Sequence, residues 1–339
     1  MKFSYQQWQK LRGLRKFFLS GEPNHRSYWD SEEILALYDQ TFAVRIGWRW
    51  DAAIRQLQFL KWQPTEKTLL DWGCGSGMAS RKVLAAFAQF ENAFLIDLSP
   101  VAEGYAASMA KAESPATSIR TGILPEEPFC LVLSHVVGEL DEAGEQHLAQ
   151  IVARASSLIW VEPGSYTVSR KLGTWRDRLD WPVIAPCTHR QSCPIPAPKN
   201  RHHWCHFFAQ PPPETFMSAD WAEFAKQMEI DLSTLAFSYL VLDRSAPPSR
   251  TPEIARNIGS IRVYKAFAKL QLCDASGLHA VEVTKRDFPA IWRALRKGWT
   301  PDLVQVETEA NRITKWHDLA GAPPPPPHGT GPVGRGAAL

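Results

Sequence analysis

Residues Leu69–Ser80 read LLDWGCGSGMAS. An apolar run ends on Asp71, glycines follow at 73, 75 and 77, and a stretch with helical spacing begins directly afterwards. A strand that turns into a helix on glycines lets the backbone approach a ligand closely, and the helix N-terminus faces that ligand. The surroundings have the same character. From Thr68 onward short apolar runs alternate with helical stretches: TLLDWG, a helix over about 78–90, AFLIDLS, a helix over about 100–112, LVLSHV, a helix near 142–156, and SLIWVEP. This alternation predicts an α/β fold with a parallel sheet covered by helices.

A glycine turn alone is shared with dinucleotide enzymes, so the second strand supplies the discriminator. AFLIDLS places Asp97 at a strand end, where a carboxylate can accept hydrogen bonds from two ribose hydroxyls. The D-x-G-x-G-x-G run followed by this acid resembles the S-adenosylmethionine site of class I methyltransferases. The resemblance implies a Rossmann-like, class I S-adenosylmethionine-dependent methyltransferase-like domain with Asp71, Gly73, Gly75, Gly77, Asp97 and Ser134 around the cofactor. Asp71 would hold the glycine loop or approach the methionine amino group, and Ser134 and His135 would close the pocket.

Fold is not activity. At the end of the fourth strand, amino methyltransferases carry a polar clamp of the Asn-Pro-Pro-Tyr type; this chain has SHVVGEL. Cys74 and Cys130 read as small apolar fillers rather than nucleophiles. His135 and Glu139 suit acid–base work or packing equally, so no catalytic residue is assigned.

The segment Ala185–Phe207, APCTHRQSCPIPAPKNRHHWCHF, breaks the α/β alternation. Cys187, Cys193 and Cys205 fall at C-x5-C-x11-C in a proline-broken loop, and Cys273 ends a later strand. A disulfide framework fits poorly in a chain large enough to have its own core. Thiolate ligands favour zinc or an iron-sulfur cluster, and His189, His202, His203 and His206 keep a Cys3His zinc site open. Cluster, zinc and free thiols all remain open on this chemistry.

APC-x-H-x3-CP followed by WCHF, after a strand reading VEPG and a degenerate methyltransferase loop, resembles the methyltransferase-like family of the mitochondrial ribosomal small subunit and its bacterial relatives. YWDSEEILALY, LLDWGCGSG, LSHVVGEL and LIWVEPGS belong to the same resemblance. It implies a [4Fe-4S] cluster on Cys187, Cys193, Cys205 and Cys273, small-subunit rRNA as partner during ribosome assembly, and S-adenosyl-L-methionine binding. Two departures stand out: Thr188 replaces a proline frequent in relatives, and PAPKNRH is inserted before WCHF.

The chain has 339 residues, 45% of them hydrophobic, and a net charge of +3, which suits a globular protein and announces no nucleic-acid binder by its sum. The excess is local: ten Lys/Arg (250, 256, 262, 265, 269, 285, 286, 293, 296, 297) stand against four acids between Arg250 and Lys297. Arg190, Lys199, Arg201, His202 and His203 flank the cysteines, with Trp204, Phe207 and Phe208 available for packing or base stacking. No apolar run is long enough for a membrane span, and the basic opening MKFSYQQWQKLRGLRKFF reads as a helix rather than a secretion signal. A bacterial cytoplasm is expected, with the mitochondrial matrix as alternative, and a monomer off the ribosome.

Four regions are expected: a helical region at 1–62; a methyltransferase-like domain at 63–250 with the metal loop at 184–213; a small β-rich domain at 251–315 that includes strands FSYLVLDRS's successor RVYKAFAKLQLC and LHAVEVTK; and a disordered Pro/Gly-rich tail at 316–339. Two functions follow: an RNA-binding assembly factor of the small subunit, or an active rRNA methyltransferase.

Overall fold

A computed structural model of the chain describes residues 2–20, 29–247, 253–317 and 319. In chain order the elements are α1 (Tyr5–Ser20), α2 (Glu32–Asp39), α3 (Phe42–Phe59), β1 (Thr68–Trp72), α4 (Met78–Ala86), β2 (Asn92–Ile96), α5 (Pro100–Glu113), β3 (Ser118–Thr121), β4 (Phe129–Ser134), α6 (Glu142–Arg154) and β5 (Ser157–Pro163). There follow α7 (Tyr166–Leu179), β6 (Val183–Ala185), β7 (Phe207–Ala209), α8 (Ala219–Met228) and β8 (Leu235–Asp243). The chain continues with β9 (Ile254–Asn257), β10 (Arg262–Val263), β11 (Phe267–Asp274), β12 (Gly277–Thr284), α9 (Pro289–Arg296), β13 (Leu303–Glu309) and β14 (Arg312–His317). It divides into two compact units: residues up to Pro163 with Phe208–Ser245, and Gly164–Phe207 with the residues from Ala246 onward.

In the first unit the strands run β3-β2-β1-β4-β5-β8, parallel throughout except for β8, which is antiparallel to β5. Helices over a parallel sheet leave the central strands no wet face, so β4 and β5 are buried along almost their whole length. Their sequences, FCLVLS and SLIWVEP, are accordingly continuous apolar runs rather than alternating ones. The N-terminal helices belong to this unit. Ser31 caps α2, with Glu32 and Glu33 in the first turn, where carboxylates suit the helix dipole. The basic opening helix, α1, buries Trp8 and Leu11 in a cluster with Leu37, Phe224 and Met228. Basic residues line its other faces.

The second unit carries a β-barrel. β11 pairs with β12, β12 in parallel with β14, β14 with β13, β13 with β9, and β9 returns to β11. With β9, β11, β12, β13 and β14 taken as first to fifth, the ring runs first, second, third, fifth, fourth, with α9 between the third and fourth strands. That is the order of an OB barrel. Ala268, Leu270, Leu272, Val281, Val283, Val304 and Ile313 fill it, with Trp292 and Leu295 of α9 packed among them.

RVYKAFAKLQLC, expected as one strand, forms two. Tyr264 N donates to Phe267 O (2.8 Å), closing a tight turn over Lys265 and Ala266, two residues without the usual turn chemistry. The cysteine segment, expected within the methyltransferase-like region, clusters with the barrel. Of the tail expected from 316, Trp316 and His317 complete β14; Asp318 and residues 320–339 lie outside the described residues, as does Arg250.

Phe224 is fully buried, with its ring 5.3 Å from that of Phe42 and 5.5 Å from that of Trp221. Phe224→Ala is expected to destabilise this unit by about 3–5 kcal/mol and to make α1 more sensitive to proteolysis, measured by urea unfolding and limited digestion.

Candidate functional site

The sheet places the first site at the carboxyl ends of β1, β2 and β4. Gly73 and Gly77 have φ of +77° and +76°. A Cβ on Gly73 would come within 2.7 Å of Val136 Cγ1, and one on Gly77 within 3.0 Å of the Ala106 Cβ. Gly73 N and Cys74 N both donate to Ile96 O, so the loop is stitched to the end of β2. α4 then begins at Met78 behind Gly77, which has no side chain to cap it.

Two carboxylates hold this loop. Asp97 Oδ2 accepts from Gly75 N (2.9 Å), and its Oδ1 from Ser99 N (3.0 Å). Ser99 in turn caps α5 and donates to Trp29 O. Burial pushes the Asp97 carboxyl up, against the pull of those amides. Asp71 Oδ2 accepts from Ser80 N (3.2 Å), while its fully buried Oδ1 has no hydrogen-bond partner among the described residues. Burial, with help from the Asp97 charge, raises Asp71 to about 7. Beside Asp97, Leu98 is 74% exposed, an apolar side chain in open solvent.

At the end of β4, Ser134 Oγ accepts from Trp50 Nε1 (2.9 Å), and His135 Nε2 lies 3.5 Å from Arg49 Nη1. Burial, then Arg49, keeps His135 well below its ordinary range. Arg49 is itself lowered to about 9 by burial and by Arg45, and among the described residues no carboxylate pairs with it. Tyr38, pushed up by burial and then by Glu139, joins the same neighbourhood. Glu162, fully buried, gathers Val136 N, Val137 N and Trp160 Nε1 on one oxygen and so fixes the β4 turn. Sequence reasoning found Ser134, His135 and Glu139. It missed Trp50, Arg49 and Tyr38, which come from helices preceding the sheet and carry no motif. Cys74 and Cys130 are buried with thiols pushed up by burial, as filler residues would be.

The second site lies wholly in the barrel unit. Cys193, Cys205 and Cys273 are raised by burial, Cys193 to about 12, and each lies close enough to Cys187 to be raised further by its charge. The loop that carries three of them is pinned from several sides. Asp177 of α7 accepts from Cys193 N (2.9 and 3.0 Å), Arg176 donates to His189 O (2.9 Å), and Arg170 to Ile195 O (2.7 Å). Gly173 passes so near that a Cβ would stand 3.4 Å from Cys193 Sγ. The barrel side is held by Arg256, which donates to Pro186 O (2.7 Å) and sits opposite Cys273 in the β9–β11 register, and by Gly259 N donating to His206 O. Arg256, counted as part of a basic surface, is therefore a buried structural cation.

His189 Nε2 approaches Cys273 Sγ at 3.7 Å, while His206 stacks on Trp204 and His202 accepts from Arg201 on the surface. Among the described residues no three His, Cys, Asp or Glu side chains stand in an arrangement ready to hold a metal ion. Trp204 donates to Gly164 O and Phe207 is buried, so both pack.

The strand order and the paired acids around a glycine loop define a class I methyltransferase-like protein with a β-rich second part. A family model, mitochondrial small ribosomal subunit Rsm22, matches residues 39–303. The chain belongs to that family. No curated protein matches it. Among solved structures, an O-methyltransferase family protein from Burkholderia thailandensis is 13% identical, with 71% of this chain and 70% of that one covered and a TM-score of 0.39. Mitomycin 7-O-methyltransferase MmcR is 14% identical, with 71% and 69% covered and a TM-score of 0.37. TrmK of M. capricolum, bound to S-adenosyl-homocysteine, is 11% identical, with 57% and 69% covered and a TM-score of 0.31. Likeness at this level says nothing about substrate.

Because folding favours the neutral form of Asp71, its contribution to stability is full below about pH 4 and is lost as pH rises through about 7. Asp71→Asn lacks this component. The stability difference between wild type and variant is expected to change by up to about 4 kcal/mol across that window, measured by thermal unfolding at a series of pH values.

Proposed function

We propose that the chain is an assembly factor of the small ribosomal subunit that binds its rRNA, with S-adenosyl-L-methionine in the first unit and a [4Fe-4S] cluster in the second. Membership in the Rsm22 family over residues 39–303 carries this reading. The family's description fits the mitochondrial matrix, the alternative to a bacterial cytoplasm. No described helix is long and apolar enough to cross a membrane.

The residues of the first site suit the cofactor. Each Asp97 oxygen accepts one backbone amide and retains a second lone pair that ribose hydroxyls could use, and Leu98 offers an apolar cover for a purine. Arg49 offers a half-buried guanidinium without a counter-charge, and the methionine carboxylate would supply one. The bound cofactor would bring an electrophilic methyl group. The end of β4, where a methyltransferase holds its acceptor, is engaged by the chain's own Trp50 and Arg49, which favours binding over catalysis. The alternative, active methyl transfer to rRNA, draws on the assembled Asp71, Gly73, Gly75, Gly77 and Asp97 set.

In the second site, the fit lies in donor chemistry and proximity. Four thiols brought near one another by the loop and β11 are a donor set suited to a soft cation, whose binding displaces their protons to solvent. Cys187, Cys193, Cys205 and Cys273 would hold the cluster, with zinc as alternative. The group would be a structural cross-link between the loop and the barrel strand β11.

Anaerobic purification followed by iron, sulfide and zinc analysis is expected to give iron near four per chain, and much less in Cys273→Ser. Zinc instead contradicts the cluster, and full iron in the variant contradicts Cys273 as a ligand. Asp97→Ala is expected to weaken S-adenosylmethionine binding about 10- to 100-fold by calorimetry, since charge-assisted hydrogen bonds are lost. Co-sedimentation of the protein with small subunits is expected to fall steeply with salt; salt-independent or absent association contradicts the assembly reading.

A further inference from the structure

β11 buries Ala268, Leu270 and Leu272 in the barrel, so alternation turns Phe267, Lys269, Gln271 and Cys273 to its outer side. The connection from β9 to β11 passes through β10 and ends in the tight turn at Tyr264–Phe267. Tyr264, 44% exposed, stacks on Phe267 with ring centroids 4.7 Å apart and planes 24° from parallel. The connection from β12 to α9 lies alongside: Lys285 N donates to Ala266 O (2.8 Å) and Trp292 Nε1 to Tyr264 O (3.2 Å).

Cations surround this aromatic pair. Lys285 and Arg296 lie over the Trp292 ring at 4.9 and 5.4 Å, and Lys269 over Phe267 at 5.6 Å. Arg262 stands directly opposite Lys269 across the β10–β11 pair, where like charges repel. Lys269 reaches Glu282 (3.3 Å), yet among the described residues no carboxylate pairs with Arg262, Lys265, Lys285, Arg286, Arg293 or Arg296. All six are exposed. The fold retains this repulsion, which an anion would relieve.

We infer that this face of the barrel binds single-stranded RNA, with a base stacked on Tyr264 and phosphates running along Arg262, Lys265, Lys285 and Arg286. An exposed aromatic pair selects a chain with unpaired bases, since a duplex hides its base faces and an acidic polypeptide has none. Barrels with this strand order use the second and third strands and the loop between the first and second for oligonucleotides, and here those are β11, β12 and the Tyr264 turn. The outer face of β11 then leads the strand over Lys269 and Gln271 towards Cys273. The inference rests on the reading that the chain works on small-subunit rRNA, and adds which surface and which form of RNA.

The test uses the full chain with two readouts: fluorescence anisotropy on a labelled single-stranded oligoribonucleotide, and co-sedimentation with small subunits. Tyr264→Ala is expected to weaken oligonucleotide binding about 5- to 150-fold. The pair Lys265→Ala and Arg286→Ala is expected to lower the slope of log affinity against log salt by about 1.4. Both variants are at exposed positions, and an unchanged thermal transition confirms that they fold. Wild-type affinity in both variants overturns the proposal, even if the subunits are still bound. So does equal competition by duplex RNA or by polyglutamate. Oligonucleotide binding that depends on Tyr264, in a protein that ignores small subunits, upholds the face and removes the assembly reading instead.

Discussion

The amide of Gly75 donates to the carboxylate of Asp97 across 2.9 Å, and the geometry of the first site depends on that bond. It draws the glycine loop at the end of β1 over to the end of β2. The same carboxylate accepts from Ser99, which starts α5, so one side chain positions two helix-leading turns. The arrangement places two carboxylates, Asp71 and Asp97, at the ends of adjacent parallel strands inside low-dielectric surroundings. The Asp97 charge raises the proton affinity of Asp71, and Glu103 that of Asp97, a cost offset in part by the Ser80 amide on the first and the Gly75 and Ser99 amides on the second. A cationic ligand would offset more.

The barrel unit shows the same economy with sulfur. Cys193, Cys205 and Cys273 each lie near Cys187, and beside them Arg176 divides its guanidinium between Asp177 and the His189 carbonyl while Arg256 donates to the Pro186 carbonyl. Arg176 lowers Cys193 and Cys273 and Arg256 lowers Cys205, but burial outweighs them and leaves these thiols above their ordinary range. The loop owes its shape to side chains of α7, not to its own prolines alone: Asp177 reads the Cys193 amide, and Arg170 ties Ile195 and His203.

Much of this was legible in the sequence. Asp71, the three glycines and Asp97 are local in the chain, and their spacing has one physical reading, a strand-to-helix turn beside a second strand end. The three loop cysteines were legible for the same reason. Arg49 and Trp50 were not, because they sit among ordinary apolar positions of α3 and acquire a role only when that helix packs beside β4. Arg256 was misread as surface charge, because a count of bases along a segment takes no account of which alternate positions of β9 point inward. The Tyr264 turn was hidden by Lys265 and Ala266, which lack the glycine or asparagine that marks most tight hairpins.

By itself the sequence determined the fold class, and it marked as candidates the carboxylates and glycines of the first site and the three loop thiols of the second, since period, spacing and residue chemistry are local properties. The tertiary structure alone decided that the cysteine segment belongs with the barrel, that five strands close into a ring, and that β4's end is engaged by α3. Those outcomes depend on pairings between residues far apart in the chain, such as Cys273 with Arg256 and Glu282 with Arg312, whose energies come from packing and register and leave no periodic signal behind.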